Sequence, residues 1–145
     1  MSPSAILPEA QRNGTTKVLK DLDASAMIKE LVPESEQGKV PALNDPGRMA
    51  QKYSTAHMVL AKWTAEGGWE APKMQRYGLI ALEPTASVLH YATESFEGMK
   101  VYRGYDSKLR LFRPRLNCAR MIKSNARVCL PGFDPEQLLA IISAF

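Results

Sequence analysis

Residues 114 to 129 carry the most regular pattern in the chain, and they predict one amphipathic helix. Pro114 suits the first helical position, because the backbone N–H that proline lacks would have no partner inside the helix. At about 100° per residue, apolar residues then fall on one side of the helix and polar residues on the other. Asn125 interrupts the apolar side, and the polar side is formed by Asn117, Arg120, Lys123, Ser124 and Arg127.

A second helix is expected between Asp134 and Phe145. Asp134 is a favourable N-cap, Pro135 suits the first helical position, and Glu136 lies where the helix dipole favours negative charge. The two helices are separated by Leu130-Pro131-Gly132, because proline and glycine interrupt a helical backbone.

Two extended runs earlier in the chain predict neighbouring strands of an antiparallel sheet. The first, His57 to Trp63, is apolar and bounded by turn formers. The second, Gln75 to Leu82, ends close to a proline, which favours extended backbone in the residue before it. A glycine-rich turn at residues 66 to 69 lies between them.

The segment from Thr85 to Pro114 changes from helical to extended spacing. A short amphipathic helix is expected first, with Thr85 or Ser87 as N-cap and Gly98 ending it in a left-handed turn. Met99 to Tyr102 and Leu109 to Phe112 then predict a hairpin. The apolar arc of the short helix contains Val88, Leu89, Tyr91, Ala92 and Phe96.

Together these elements predict an α+β fold in which an antiparallel sheet is flanked by helices. A chain of 145 residues, 45% of them hydrophobic, is long enough for one domain with a core, which we place at residues 48 to 145. Residues 1 to 47 predict an irregular leader that drapes over the domain rather than forming a core. It contains one candidate short helix, from Ala24 to Val32.

Several classes of protein are disfavoured by what the chain lacks. No run approaches the roughly 20 apolar residues that span a bilayer, and no secretory signal pattern is present. We therefore expect a cytoplasmic protein; a mitochondrial location stays open because Arg12, Lys17 and Lys20 precede a short amphipathic stretch. Cys118 and Cys129 are expected to be reduced core residues, and two cysteines with two distant histidines do not predict a metal site.

Basic residues are concentrated in one part of the chain. Residues 100 to 127 contain nine lysines or arginines against one acid, Asp106, which predicts an anionic partner for that region. Two interpretations stay open from the residues alone. Arg120 could fork onto a phosphate or carboxylate, with Asn117 and Ser124 one turn away, or the basic side is simply solvated.

Tyr91 and Phe96 also admit two interpretations. Aromatic rings on an apolar arc most often pack in a core, whereas a tyrosine hydroxyl at the edge of a pocket could position a substrate. His57 and His90 have no serine, cysteine or acid at a spacing that predicts a catalytic triad, and no glycine-rich phosphate loop is present.

A series of linked motifs gives the chain a more specific likeness. It resembles the amino-terminal half of the branched-chain amino acid aminotransferases, which are fold-type-IV enzymes dependent on pyridoxal 5′-phosphate. The likeness runs in unbroken order from about residue 48 to residue 145. Its clearest motifs are Leu89-His90-Tyr91, Phe96-Glu97-Gly98-Met99-Lys100, and Arg110-Leu111-Phe112-Arg113-Pro114 with Asn117 and Arg120-Met121.

The resemblance implies roles for three side chains. Arg120 matches the arginine that binds the cofactor phosphate, Tyr91 matches a tyrosine of the substrate side-chain pocket, and Phe96 matches an aromatic wall of that pocket. It also implies the small amino-terminal domain of a fold-type-IV aminotransferase and a homodimer in the complete enzyme. The implied reaction transfers the amino group of leucine, isoleucine or valine to 2-oxoglutarate, with no membrane or nucleic acid as partner.

The same resemblance leaves this chain without a catalytic residue. In the family a lysine forms a Schiff base with the cofactor and moves the substrate proton, and no lysine here matches it. We expect that lysine to lie in a further domain, and these 145 residues alone to be inactive. Residues 49 to 56 depart from the family pattern, which leaves substrate preference open.

Two alternative functions are retained. Another fold-type-IV enzyme, such as a D-amino acid aminotransferase or an aminodeoxychorismate lyase, would share the fold but act on a different substrate. A non-catalytic module would instead bind anions or a homologous chain through the basic residues. Steep salt dependence of oligonucleotide binding would favour the second alternative.

Overall fold

The computed structural model describes residues 20–42, 44–50 and 52–145. Within them, four α-helices and seven short strands form an α+β fold with small, mainly antiparallel sheets, which confirms the predicted α+β class. Arg12 and Lys17, which keep a mitochondrial location open, lie outside the described residues. The strands are β1 (Ile28–Lys29), β2 (His57–Leu60), β3 (Trp63–Thr64), β4 (Gly68–Trp69), β5 (Lys73–Arg76), β6 (Val101–Arg103) and β7 (Leu109–Leu111). The helices are α1 (Pro46–Met49), α2 (Ser87–Tyr91), α3 (Pro114–Arg127) and α4 (Pro135–Ala144).

The strand β5 lies at the centre of a three-stranded sheet with the order β1-β5-β2. It pairs antiparallel with β2, so that His57 lies opposite Arg76, and the predicted antiparallel pair is confirmed. The strand expected from Gln75 to Leu82 is wrong beyond Arg76. Because β2 begins at His57, the pairing ends where the Tyr77 N–H donates to the Ala56 carbonyl at 2.9 Å, and Leu79 beyond it is fully exposed.

The third strand of this sheet comes from the predicted leader. The Asp23 carboxylate caps a single 3-10 turn at Ala24–Ala26, and β1 then pairs parallel with β5. The helix expected from Ala24 to Val32 is therefore wrong. Pairing with β5 satisfies the backbone donors that a helix would have used, since the N–H groups of Ile28 and Glu30 donate to carbonyl oxygens beside and within β5 at 2.9 and 2.8 Å.

Two side chains of the leader enter the core, which the leader was not expected to form. Leu22 and Val32 are each 5% exposed, as is Met74 in β5. The Val32 N–H also donates to Nε2 of His57 at 2.7 Å, which ties the leader to β2. Residues 20 to 32 are therefore an integral part of the folded structure.

The two predicted helices α3 and α4 are confirmed, and they pack against each other. Pro114 and Pro135 occupy their first turns as expected. The Asp134 carboxylate accepts the Glu136 N–H at 2.9 Å, which is the predicted N-cap. None of the helices in the described ranges is both long and apolar enough to cross a bilayer.

The two cysteines have different environments. Cys118 is 1% exposed in the core, as expected. Cys129 is exposed, so its predicted burial is wrong. The reason is that α3 ends at Arg127 and Cys129 adopts a left-handed conformation with a φ of 57°, which removes it from the apolar side of the helix.

A change from Met74 to alanine should lower the free energy of unfolding by about 2–4 kcal/mol, because it opens a cavity beneath the central strand. Urea unfolding followed by circular dichroism measures this loss. The matched control is Leu79→Ala, which removes an exposed side chain and should change stability by less than about 0.5 kcal/mol. Equal losses in the two variants would contradict the described core.

Candidate anion-binding site on helix α3

The chain enters α3 directly from a β-hairpin. β6 and β7 pair antiparallel, with Val101 opposite Leu111, which confirms the predicted hairpin. Arg113 then adopts a left-handed conformation with a φ of 49° immediately before Pro114. On the exposed side of the helix that follows, the Arg120 side chain is 64% exposed.

Residues 92 to 98 leave the helix that was expected to contain them. α2 ends at Tyr91, and Ala92 adopts a left-handed conformation with a φ of 49°. The expected helix end at Gly98 is therefore wrong. The expected N-caps Thr85 and Ser87 are also wrong, because Ala86 takes the cap position and no side chain bonds there.

Residues 95 to 98 instead run along α3 in the opposite direction, held by three side-chain contacts that we call the polar seam. Its three pairs are Ser95 with Asn125, Glu97 with Arg120, and Gly98 with Asn117. In the last pair the Asn117 amide donates to the Gly98 carbonyl at 2.9 Å. Each pair satisfies polar groups across two elements, so the segment needs no regular secondary structure of its own.

The sequence pattern marks Asn125 as an exception on the helix, and the structure explains why it is there. It interrupts the apolar side of α3, and the structure places it at 6% exposure. Its side-chain oxygen accepts from the Ser95 hydroxyl, and its amide donates to the Pro131 carbonyl at 3.2 Å. A buried amide requires such partners, so an asparagine on an apolar helix face is a usable signal for a tertiary contact.

The pair of Glu97 and Arg120 is the most polar part of the seam. Nε and Nη2 of Arg120 donate to Oε1 of Glu97 at 3.1 and 2.8 Å, and Nη2 also donates to Oε2 at 2.7 Å. The hydrogen bonds from Arg120 hold the pKa of the Glu97 carboxyl below its usual range. The carboxylate is therefore charged at neutral pH. The pairing has no local signal in the sequence, because its two partners lie 23 positions apart.

Arg120 retains donors for a second anion. A guanidinium has five N–H donors, and Glu97 engages the edge formed by Nε and Nη2. In the described part of the chain, Nη1 donates to no protein group. The edge formed by Nη1 and Nη2 matches the geometry of two phosphate oxygens, so these residues fit the phosphate of pyridoxal 5′-phosphate.

Tyr91 and Phe96 lie at the surface rather than in a core. The two residues are 81% and 90% exposed, which rules out the interpretation that they are core residues of this chain. Ser95 and Glu97 both face α3, so Phe96 between them projects away from the helix. With Arg120 also mostly exposed, the described residues do not enclose the three predicted site residues in one pocket.

All nine basic residues between positions 100 and 127 are exposed. Besides Arg120, two of them have carboxylate partners at 2.8 Å: Arg110 pairs with Asp106, and Arg115 pairs with Glu136. The described residues hold no cluster of three or more histidine, cysteine or acidic side chains suited to a metal ion. The exposed arginines of this surface are suited to the recognition of anions.

No family model matches the chain, whereas comparison with curated proteins identifies relatives. It is 51% identical over 136 residues to the cytosolic branched-chain-amino-acid aminotransferase of Mus musculus, covering 93% of this chain and 34% of the relative. It is 44% identical over 124 residues to the cytosolic enzyme of that name from Saccharomyces cerevisiae, covering 86% and 32%. The mitochondrial one of Rattus norvegicus is 42% identical over 107 residues, covering 74% and 27%.

These matches relate the chain to a class of enzymes, the aminotransferases. Within that class its relatives are branched-chain amino acid aminotransferases, so the resemblance drawn from the motifs is confirmed. The chain spans about a third of the length of the mouse and yeast relatives.

Replacing Asn125 with alanine should lower the free energy of unfolding by about 1–3 kcal/mol, because the Pro131 carbonyl loses its amide donor and the Ser95 hydroxyl its acceptor. Chemical denaturation measures the effect. Lys123→Ala, an exposed change on the same helix, is the control and should alter stability by less than about 0.5 kcal/mol. A neutral Asn125→Ala variant would argue against the polar seam.

Proposed function

We propose that this chain contributes part of the active site of a branched-chain amino acid aminotransferase, as the small domain of a fold-type-IV enzyme. The complete enzyme would be a cytosolic homodimer that transfers the amino group of leucine, isoleucine or valine to 2-oxoglutarate. In this proposal Arg120 binds the phosphate of pyridoxal 5′-phosphate, and Tyr91 and Phe96 line the pocket for the substrate side chain.

The observation that carries the proposal is the match to the mouse relative. It covers 93% of this chain, so it includes residues 91 to 120 whichever end is left out. That stretch contains all three proposed site residues. The second support is geometric, since Arg120 is held by Glu97 along one edge and keeps its other edge for an oxygen anion.

The three side chains bind different parts of the cofactor and the substrate. Pyridoxal phosphate, when bound, supplies the electron sink that makes the substrate α-carbon reactive. Arg120 anchors its phosphate by charge-assisted hydrogen bonds. Tyr91 and Phe96 offer exposed apolar rings, which gain free energy from burial only when a branched side chain and a facing surface cover them. We propose that residues outside these 145 provide that surface.

The proposal assigns the catalytic proton transfer to a lysine outside these 145 residues. A transaminase needs an amine beside the cofactor to take the proton from one carbon and return it to another. None of the lysines of this chain matches the family position of that amine. In this proposal the chain binds and orients the cofactor and the substrate, and the proton transfer requires residues outside it.

The 145-residue chain, supplied with pyridoxal phosphate, leucine and 2-oxoglutarate, should form no glutamate above the rate of the protein-free mixture. The reason is the absence of a lysine that could carry the proton. A coupled glutamate assay measures the rate, with an intact branched-chain aminotransferase as the positive control. Leucine-dependent turnover by the isolated chain would contradict this assignment.

Arg120→Met should weaken binding of pyridoxine 5′-phosphate by about tenfold or more, since a hydrogen bond to a charged group contributes roughly 1.5–3 kcal/mol. This ligand carries the phosphate ester of the cofactor but no aldehyde that would react with surface lysines. Titration followed by NMR measures the dissociation constant, and unphosphorylated pyridoxine shows whether the phosphate is required.

The matched control for this change is Arg115→Met. Arg115 lies on the same helix and is also paired with a carboxylate, so its loss removes the same charge from the same element. It should leave binding nearly unchanged. Equal weakening in the two variants would show that general positive charge, and not Arg120, attracts the phosphate.

A further inference from the structure

We propose that Glu97 is a positioning residue for Arg120: its carboxylate fixes the guanidinium by one edge and thereby presents the other edge to a phosphate monoester. The inference rests on the proposed function, because it concerns the same phosphate contact. It assigns to a negatively charged side chain a favourable part in binding an anion.

The geometry of the pair indicates that Glu97 orients Arg120 and does not itself fill the anion-binding site. Three donor–acceptor contacts of 2.7 to 3.1 Å join Glu97 to Nε and Nη2 of Arg120. The carboxylate side chain is 17% exposed and the arginine side chain 64% exposed. Glu97 therefore lies beneath the guanidinium, and the accessible part of Arg120 is the part that Glu97 does not cover.

Glu97 is itself held in place on both sides. Before Glu97 in the chain, the Ser95 hydroxyl donates to the Asn125 side chain. After Glu97, the Gly98 carbonyl accepts from the Asn117 amide. These contacts fix the backbone that carries the carboxylate. An arginine attached to such a support loses less conformational entropy when it binds a ligand than a free arginine on a helix surface.

A purely stabilising role explains the pair less well. An ion pair with one partner largely in solvent adds little to folding stability, because water screens the attraction. The two other contacts of the polar seam already hold residues 95 to 98 against α3. What the pair adds is a fixed direction for the Arg120 donors.

Glu97→Gln separates positioning from net charge, because the two predict opposite results. Removing a negative charge beside Arg120 should tighten phosphate binding if charge alone matters. If Glu97 positions Arg120, the same change should weaken it, because a neutral amide holds the guanidinium less firmly. We expect pyridoxine 5′-phosphate to bind about threefold or more weakly to this variant, through the loss of preorganisation.

The matched control is Glu136→Gln. Glu136 pairs with Arg115 on the same helix at 2.8 Å, so this change also removes one negative charge from an arginine pair. It should leave binding of pyridoxine 5′-phosphate unchanged or slightly tighter. Weakening equal to that of Glu97→Gln would overturn the inference.

A second measurement needs no ligand. In NMR spectra of wild type, the Arg120 Nε–H should exchange slowly with water, because it donates to Glu97. Since Arg120 lowers the pKa of Glu97, this protection should persist below the usual titration range of a glutamate and be lost only as the pH falls through the lowered pKa. The Glu97→Gln variant should lack this protection at neutral pH.

The possible outcomes distinguish this inference from the proposed function. If Glu97→Gln binds pyridoxine 5′-phosphate as tightly as wild type or more tightly, while Arg120→Met weakens binding as expected, Glu97 does not position Arg120 and the proposed function stands. If wild type shows no binding that depends on Arg120, the phosphate contact and the positioning role are both overturned. Weaker binding by Glu97→Gln with loss of Nε–H protection supports the inference.

Discussion

The polar seam between residues 95 to 98 and α3 is the contact on which the arrangement of the site depends. It replaces the hydrogen bonds of a helix with side-chain bonds to a neighbouring helix. The pair at one end of the seam includes Asn125, which is buried, whereas Arg120 in the middle pair reaches solvent. The seam thus links the packing of the core to the direction of a charged group at the surface.

The helix α3 connects the core to the polar seam. Cys118 is buried in α3 against the rest of the chain, and Met121 lines an apolar cavity of about 340 Å³ that Ile141 of α4 also lines. The sulfur of Met121 lies 3.9 Å from the Ser95 hydroxyl. One helix therefore has the core on one side and the seam on another, so a shift of α3 would also move Glu97 and Arg120.

The sequence predicted elements whose signals are local and missed those decided by distant contacts. Pro114, Asp134 and Pro135 marked helix starts correctly because caps and proline act within one turn. The local pattern predicts a helix at Ile28–Lys29, but these residues form a strand. Their pairing partner is β5, more than forty residues later, and local spacing carries no information about it. In the site, helical spacing correctly predicts that Arg120 lies on an exposed side. It does not predict the partner, because Glu97 lies 23 positions away in a segment where a helix was expected.

The leader strand has a consequence for any shortened form of this protein. A chain beginning at residue 48, where composition suggested a domain boundary, would lose the Leu22 and Val32 side chains from the core. It would also leave the carbonyl oxygens of Pro72 and Met74 without the N–H donors of Ile28 and Glu30. The result is an open sheet edge beside a partly emptied core, which is the combination that favours aggregation through strand addition.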